Sequence, residues 1–215
     1  MIVTILTLFP EMFSGPFDFS IVARARSQNK ITLNLVNLRD FAADKYRTVD
    51  DRPYGGGGGM LLRVDVVDRA LKAINKSASG KTHTVLLDPK GKIYNQATAK
   101  RLAKINYLTL ICGHYEGVDA RVVSLVDESI SVGPYILTGG EIAAMILVDS
   151  ITRLVPGVLS INAIENESFV AGLLEQPQYT RPQKFRSYPV PQVLLGGHHA
   201  RITAWKKLHR KKVRD

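Results

Sequence analysis

Three stretches of the chain combine glycines with side chains able to bind or polarise a ligand. They are Asp88-Pro89-Lys90-Gly91, Cys112-Gly113-His114-Tyr115-Glu116-Gly117 and Ser131-Val132-Gly133-Pro134-Tyr135-Ile136-Leu137-Thr138-Gly139-Gly140-Glu141. Without side chains in the way, backbone N–H and C=O groups can line a pocket directly, which suits a purine ring. Singly, each stretch also reads as a tight turn between a strand and a helix; three together point to one pocket. A fourth, Tyr54-Gly55-Gly56-Gly57-Gly58-Gly59-Met60, follows a segment of mixed charge, Arg47–Tyr54. It lacks the Gly-Lys-Ser/Thr of a P-loop and the third glycine of a dinucleotide fingerprint. It reads either as close backbone approach to a partner or as a flexible linker. His198-His199 has no metal-ligand spacing with any partner, so no metal site is assigned and phosphate or plain surface placement is expected. Trp205 reads as a core anchor of the C-terminal part, and Cys112 as structural.

The elements that must hold these loops follow from hydrophobic periodicity. Apolar runs predict strands at Met1–Leu8, Thr84–Leu87 (ended by the turn Asp88–Gly91), Leu108–Ile111 and near Val126–Ile130; period-two alternation predicts another at Ile31–Leu38. Helical spacing predicts helices over Val64–Ile74, Asn95–Ile105 and Glu141–Leu154. Strands separated by helices imply an α/β fold with a mostly parallel sheet, whose ligands bind at the carboxyl ends of the strands. Pro156-Gly157 closes the last of these helices, and Ser160–Ser168 reads as a linker. Beyond it, Gly172–Pro191 has no clear period. His198–Arg214 reads as one basic helix with Ile202, Trp205 and Leu208 forming an apolar stripe.

The formal net charge is +10 over 215 residues, and it is unevenly placed. Arg181–Asp215 holds ten basic residues against Asp215 alone, whereas the first 180 residues are nearly neutral. Such a tail suits a polyanion, above all a nucleic acid; the alternative is a solvated helix that aids solubility. With 45% apolar residues the chain can bury a core, and disorder is excluded. A single cysteine points to a reducing, cytoplasmic setting, and no apolar run reaches the ~18 residues of a membrane span.

Leu8-Phe9-Pro10-Glu11-Met12-Phe13, Arg47–Tyr54 with its glycine run and Met60, Cys112–Gly117, Tyr135–Glu141, Arg153-Leu154-Val155-Pro156-Gly157-Val158-Leu159 and Tyr179-Thr180-Arg181-Pro182 together resemble the bacterial tRNA (guanine-N1)-methyltransferase family, TrmD. The resemblance implies a SPOUT-type parallel sheet with a deep C-terminal trefoil knot and a small, truncated helical C-terminal domain. It divides the chain into a knotted domain over 1–159, a linker over 160–169 and a short basic tRNA-binding domain over 170–215. It also implies a homodimer with active sites at the interface and no membrane association. The implied reaction moves a methyl group from S-adenosylmethionine to N1 of guanosine-37 in tRNA. Pro89, Gly113, Tyr115, Glu116, Val132, Gly133, Tyr135, Leu137, Gly139, Gly140 and Glu175 would hold the cofactor. Arg52, Tyr54, Arg181, His198, Lys206, Lys207 and Arg210 would hold tRNA. Glu167 would be the general base and Arg153 its cationic helper. Mg²⁺ is left open, with Asp50, Asp51 and Glu116 able to tolerate it. Family aspartates are replaced by Glu167, Pro134 and Glu175, and His114 stands where arginine is common. A shorter C-terminus than in usual members is expected to weaken tRNA binding, with Lys206–Arg214 compensating. The alternatives are a SPOUT methyltransferase for another RNA guanosine and a non-catalytic RNA-binding relative.

Overall fold

The computed structural model describes residues 1–165 and 167–212. In chain order its strands and helices are β1 (Ile2–Thr7), α1 (Ser20–Ser27), β2 (Thr32–Asn37), β3 (Asp50–Asp51), β4 (Leu61–Leu62), α2 (Val64–Ser77), β5 (His83–Ile93), α3 (Gln96–Leu102), β6 (Tyr107–Cys112), β7 (Glu128–Ser131) and α4 (Glu141–Thr152). There follow α5 (Ile161–Glu165), β8 (Leu173–Leu174), β9 (Lys184–Phe185), β10 (Tyr188–Pro189), α6 (Gln192–Leu195), α7 (His199–His209) and β11 (Lys211–Lys212). Two compact units result, Met1–Leu159 and a second beginning at Ser160. Among the described residues no helix is long and apolar enough to cross a membrane.

The first unit is α/β. Five strands lie in the order β2-β1-β6-β5-β7, every neighbouring pair parallel. Side chains alternate between faces along each strand, and two apolar clusters result. Val3, Ile5, Leu108, Leu110 and Ile130 pack with Val22 and Ala25 of α1, Leu102 of α3 and Ala144, Leu147 and Ile151 of α4. Leu6, Leu86 and Ile111 point the other way, into Val66, Val67, Ala70 and Leu71 of α2. At the sheet edge the expected alternation of β2 breaks down. Leu33 packs on one cluster and Val36 on the other while Leu35 is exposed, so both faces of this edge strand meet apolar neighbours and its burial does not follow period two.

Other expectations need correction as well. The turn at Asp88–Gly91 does not end its strand. β5 continues to Ile93, and its ladder with β7 slips so that Leu87 and Lys92 both pair with Ile130. Residues 88–91 thus bulge out of the ladder and return. Gly91 makes the return possible, since a Cβ there would stand 2.5 Å from the Ile130 nitrogen. The long basic C-terminal helix is also shorter than expected. α7 stops at His209, and Lys211 and Lys212 pair antiparallel with Leu174 and Leu173. Continuing the helix would stack Lys206 over Arg210 and Lys207 over Lys211, like charges four apart, whereas the strand pairing satisfies the backbone. The apolar stripe dissolves too, with Leu208 80% exposed. Arg214 lies outside the described residues. The stretch read as a linker holds the short helix α5.

Candidate functional site

The carboxyl ends of β5, β6 and β7 open onto a cavity of about 240 Å³. Pro89 reaches it from the β5 bulge, Gly113, Tyr115 and Glu116 from the loop after β6, and Val132, Gly133, Tyr135, Leu137, Gly139 and Gly140 from the segment between β7 and α4. Of the residues expected to hold the cofactor, Glu175 is not in this lining. It belongs to the second unit, where its Oε2 accepts from Gln178 Nε2 at 2.6 Å.

The walls are built largely of backbone. Gly140 N–H donates to Gly113 O at 2.8 Å, and His114 bridges Gly139. A Cβ on Gly140 would fall 2.7 Å from Cys112 Cα and 2.9 Å from Gly113 N, so only glycine allows the β7–α4 segment to lie this close to β6. Gly133 faces the ring of Tyr135 in the same way, and that ring is held by its hydroxyl donating to Val132 O at 3.1 Å. Tyr115 adopts φ +59°, a conformation that non-glycine residues hold at a cost and mostly at working sites.

Beneath the cavity lies a carboxylate the sequence reading did not single out. Glu141, at the start of α4, is 1% exposed, and Thr7 Oγ1 donates to its Oε1 at 2.7 Å. His114 Nδ1 stands 4.0 Å from Oε2 and is buried without a hydrogen-bond partner. The His114 ring packs between Phe9 and Tyr115, which ties the Leu8–Phe13 motif to the cavity floor. Burial, and then the charge of Glu141, push the Cys112 thiol well above its ordinary value, so this cysteine is chemically quiet.

The glycine run forms the tip of a hairpin. β3 and β4 pair antiparallel around it, and Gly55, Gly56, Gly57 and Gly59 all have positive φ. The returning strand is tied to the β6 loop, with Leu62 N–H donating to Gly117 O at 3.0 Å and Glu116 N–H to Met60 O at 3.1 Å. A side chain on Gly59 would collide with Glu116. Arg52 is exposed and Tyr54 fully so. Asp50 and Asp51 lie in β3, and among the described residues no three His, Cys, Asp or Glu side chains converge as a metal would require.

Arg153 is the C-cap of α4 in the first unit. In the second, Glu167 is half-buried in a loop whose Ser168 Oγ accepts from Glu175 N–H at 3.1 Å. Arg181, His198, Lys206 and Lys207 are exposed, as is the β9–β10 hairpin, where the Arg186 guanidinium lies 5.3 Å over the Phe185 ring. Arg210 differs from them: it is half-buried, and its Nη2 donates to the Glu167 backbone oxygen at 3.3 Å. Trp205 is half-buried and stacks on His209 at 4.1 Å.

Residues 1–214 match the family described as tRNA (Guanine-1)-methyltransferase TrmD. The chain is 52% identical over 208 residues to a tRNA (guanine-N(1)-)-methyltransferase of Desulforudis audaxviator, spanning 96% of this chain and 84% of that protein. Enzymes of the same name from Carboxydothermus hydrogenoformans and Dictyoglomus turgidum are 51% and 49% identical, over 96% and 95% of this chain and 81% and 83% of theirs.

Proposed function

The chain belongs to the TrmD family of tRNA (guanine-1)-methyltransferases, and we propose on that ground that it methylates N1 of guanosine-37 in tRNA, with S-adenosylmethionine as donor. The observation that carries the reading is the peptide-walled cavity at the carboxyl ends of β5, β6 and β7, the position where open parallel sheets hold nucleotide-like ligands. The residues there fit such a donor. Leu87, Ile130 and Leu137 offer apolar faces for a purine, neighbouring peptide groups offer hydrogen bonds to its edge, and Glu116 offers a carboxylate to a cationic group. Bound there, the donor supplies a methyl group on a positively charged sulfur.

The rest of the chemistry falls to the chain. N1 of neutral guanine carries a proton and has no free lone pair, so the proton must leave as the new bond forms. Glu167 is the general base that accepts it. Arg153 stabilises the negative charge that develops on O6. Glu167 has the same chemistry as an aspartate with one more methylene of reach, so its loop must set the carboxylate correspondingly farther back. Arg52, Tyr54 and the exposed cations Arg181, Lys206 and Lys207, with His198, contact the tRNA. Glu175 assists cofactor binding. No step is assigned to Mg²⁺.

The SPOUT-type trefoil knot is part of this reading. Its support is the seating of Gly139 and Gly140 against Cys112 and Gly113, where the segment after β7 is pressed onto the loop after β6. A homodimer with shared active sites and a cytoplasmic location complete it. The division is a knotted domain over 1–159, a linker over 160–169 and a tRNA-binding domain over 170–215.

The test is transfer of labelled methyl to two tRNA transcripts that differ only in carrying guanosine or adenosine at position 37. Label is expected in the guanosine transcript alone. Glu167→Gln is expected to lower the rate at least ~100-fold while the thermal shift with S-adenosylhomocysteine stays. A Gln variant as fast as the parent removes Glu167 as the base. Cofactor binding without transfer to either transcript would redirect the reading to another RNA or to a silent relative.

A further inference from the structure

The loop that carries Glu167 is folded back on a strand pair. Phe169 N–H donates to Leu173 O at 2.7 Å and Glu175 N–H to Ser168 Oγ at 3.1 Å. Phe169 and Ala171 sit at φ +68° and +53°, a conformation that persists in non-glycine residues only where the surroundings over-determine it. Those surroundings include the C-terminal strand β11, paired with β8 through Lys211–Leu174 and Lys212–Leu173. Arg210 stands at the join, as the C-cap of α7 immediately before β11. From there its Nη2 reaches the Glu167 carbonyl, and its Nε is buried with no hydrogen-bond partner. The neighbouring cations Lys206, Lys207, Lys211 and Lys212 are all exposed.

We propose that Arg210 is a positioning residue for methyl transfer: it fixes the backbone of Glu167, and so the place of the carboxylate, and does not serve as a phosphate contact. The proposal rests on the reading of Glu167 as the general base. A guanidinium recognises phosphate through two parallel N–H donors of its fork, whereas this one is half-buried and already has Nη2 engaged with a carbonyl. The β8–β11 pair and Arg210 together hold the loop backbone from which the Glu167 side chain extends. Lysine at 210 would offer a compact point charge in place of the planar fork, and so replaces Arg210 only in part.

The experiment compares the parent with Arg210→Ala, Arg210→Lys and Glu167→Gln. Single-turnover methyl transfer to guanosine-37 tRNA is followed from about pH 6 to 9 with protein in saturating excess, and tRNA affinity is titrated separately against salt. Arg210→Ala is expected to lower the saturating rate by ~10- to 100-fold. The pH of half-maximal rate, the tRNA affinity and its salt slope are expected to stay at parent values. Arg210→Lys is expected to recover part of the lost rate. A parent-like saturating rate with weaker tRNA binding and a salt slope lower by ~1 would make Arg210 a phosphate contact and overturn the proposal. If Arg210→Ala does not melt cooperatively, Arg210→Lys carries the test: reduced rate at parent affinity supports the role, and a parent rate overturns it. Parent-like transfer by Glu167→Gln would remove the base assignment and this role with it. An inactive Glu167→Gln beside a parent-like Arg210→Ala would remove the positioning role alone.

Discussion

Glu141 shows how much a single side chain can organise without touching solvent. Its carboxylate is reached by Thr7 from the end of β1 and lies near His114 from the loop after β6, so three segments of the cavity floor meet on one group. Its place in the first turn of α4 adds the favourable field of a helix N-terminus. The glycines beside it are the complement, because they let the chain approach that group. Gly140 has ordinary helical φ, so alanine there would suffer contact and not backbone strain. Gly140→Ala is expected to destabilise the fold by ~1–3 kcal/mol, seen as a lower melting temperature. An unchanged melting temperature would mean that β6 and α4 are not pressed together as described. The importance of glycine in these loops was legible in the sequence, since little else explains a Thr-Gly-Gly-Glu run leading into an apolar helix. The burial of Glu141 was not legible, because its partner Thr7 is 134 positions away and nothing local marks either as a pair.

Elements are held in register by a few polar contacts at their ends. Glu128 on β7 accepts from Arg101 Nη2 in α3 at 2.7 Å and stands 2.7 Å from His83 Nε2 on β5. Burial works against ionisation of Glu128, but hydrogen bonds from Arg101 and His83 outweigh it and hold its carboxyl below the usual range. A carboxyl depressed on folding stabilises the native state above its unfolded value, near 4.3 for Glu, and that contribution fades as pH falls through the folded value. Glu128→Gln is therefore expected to lower stability by ~1–2 kcal/mol at neutral pH, with the gap to the parent closing below about pH 4. Melting curves against pH would show it, and a gap that persists in acid would assign the loss to packing. Most elements of the first unit could be foreseen, since apolar runs such as Val85–Leu87 and Leu108–Ile111 leave little choice. The failures at β5 and β11 share a cause: the β5 bulge needs the Ile130 backbone opposite Gly91, and β11 needs Leu173 and Leu174 nearly forty positions earlier. Periodicity reports on neighbours along the chain, and in both places a distant neighbour decides.

For the molecule as a whole, charge and chemistry are divided between two bodies. The unit that builds the cavity holds 19 basic and 15 acidic residues over 159 positions, while the much shorter second unit gathers ten basic residues from Arg181 onward against four acidic ones. Binding of tRNA should therefore weaken steeply with salt, and replacing Lys206 and Lys207 together by alanine should lower the slope of log affinity against log salt by ~2. A slope equal to the parent's would place both lysines away from phosphate. That imbalance was plain in the composition, whereas the sheet order β2-β1-β6-β5-β7 was not, because no residue pattern says that β5 must insert between β6 and β7. The peptide walls of the cavity have a last consequence, for inhibitor escape. A drug-like compound that bonded only to main-chain groups around Gly113, Gly139 and Gly140 would meet atoms every residue type shares. Single substitutions could then displace it mainly by adding bulk, and at Gly140 added bulk strikes Cys112 and Gly113 first. Resistance at that position would come at the expense of the fold itself.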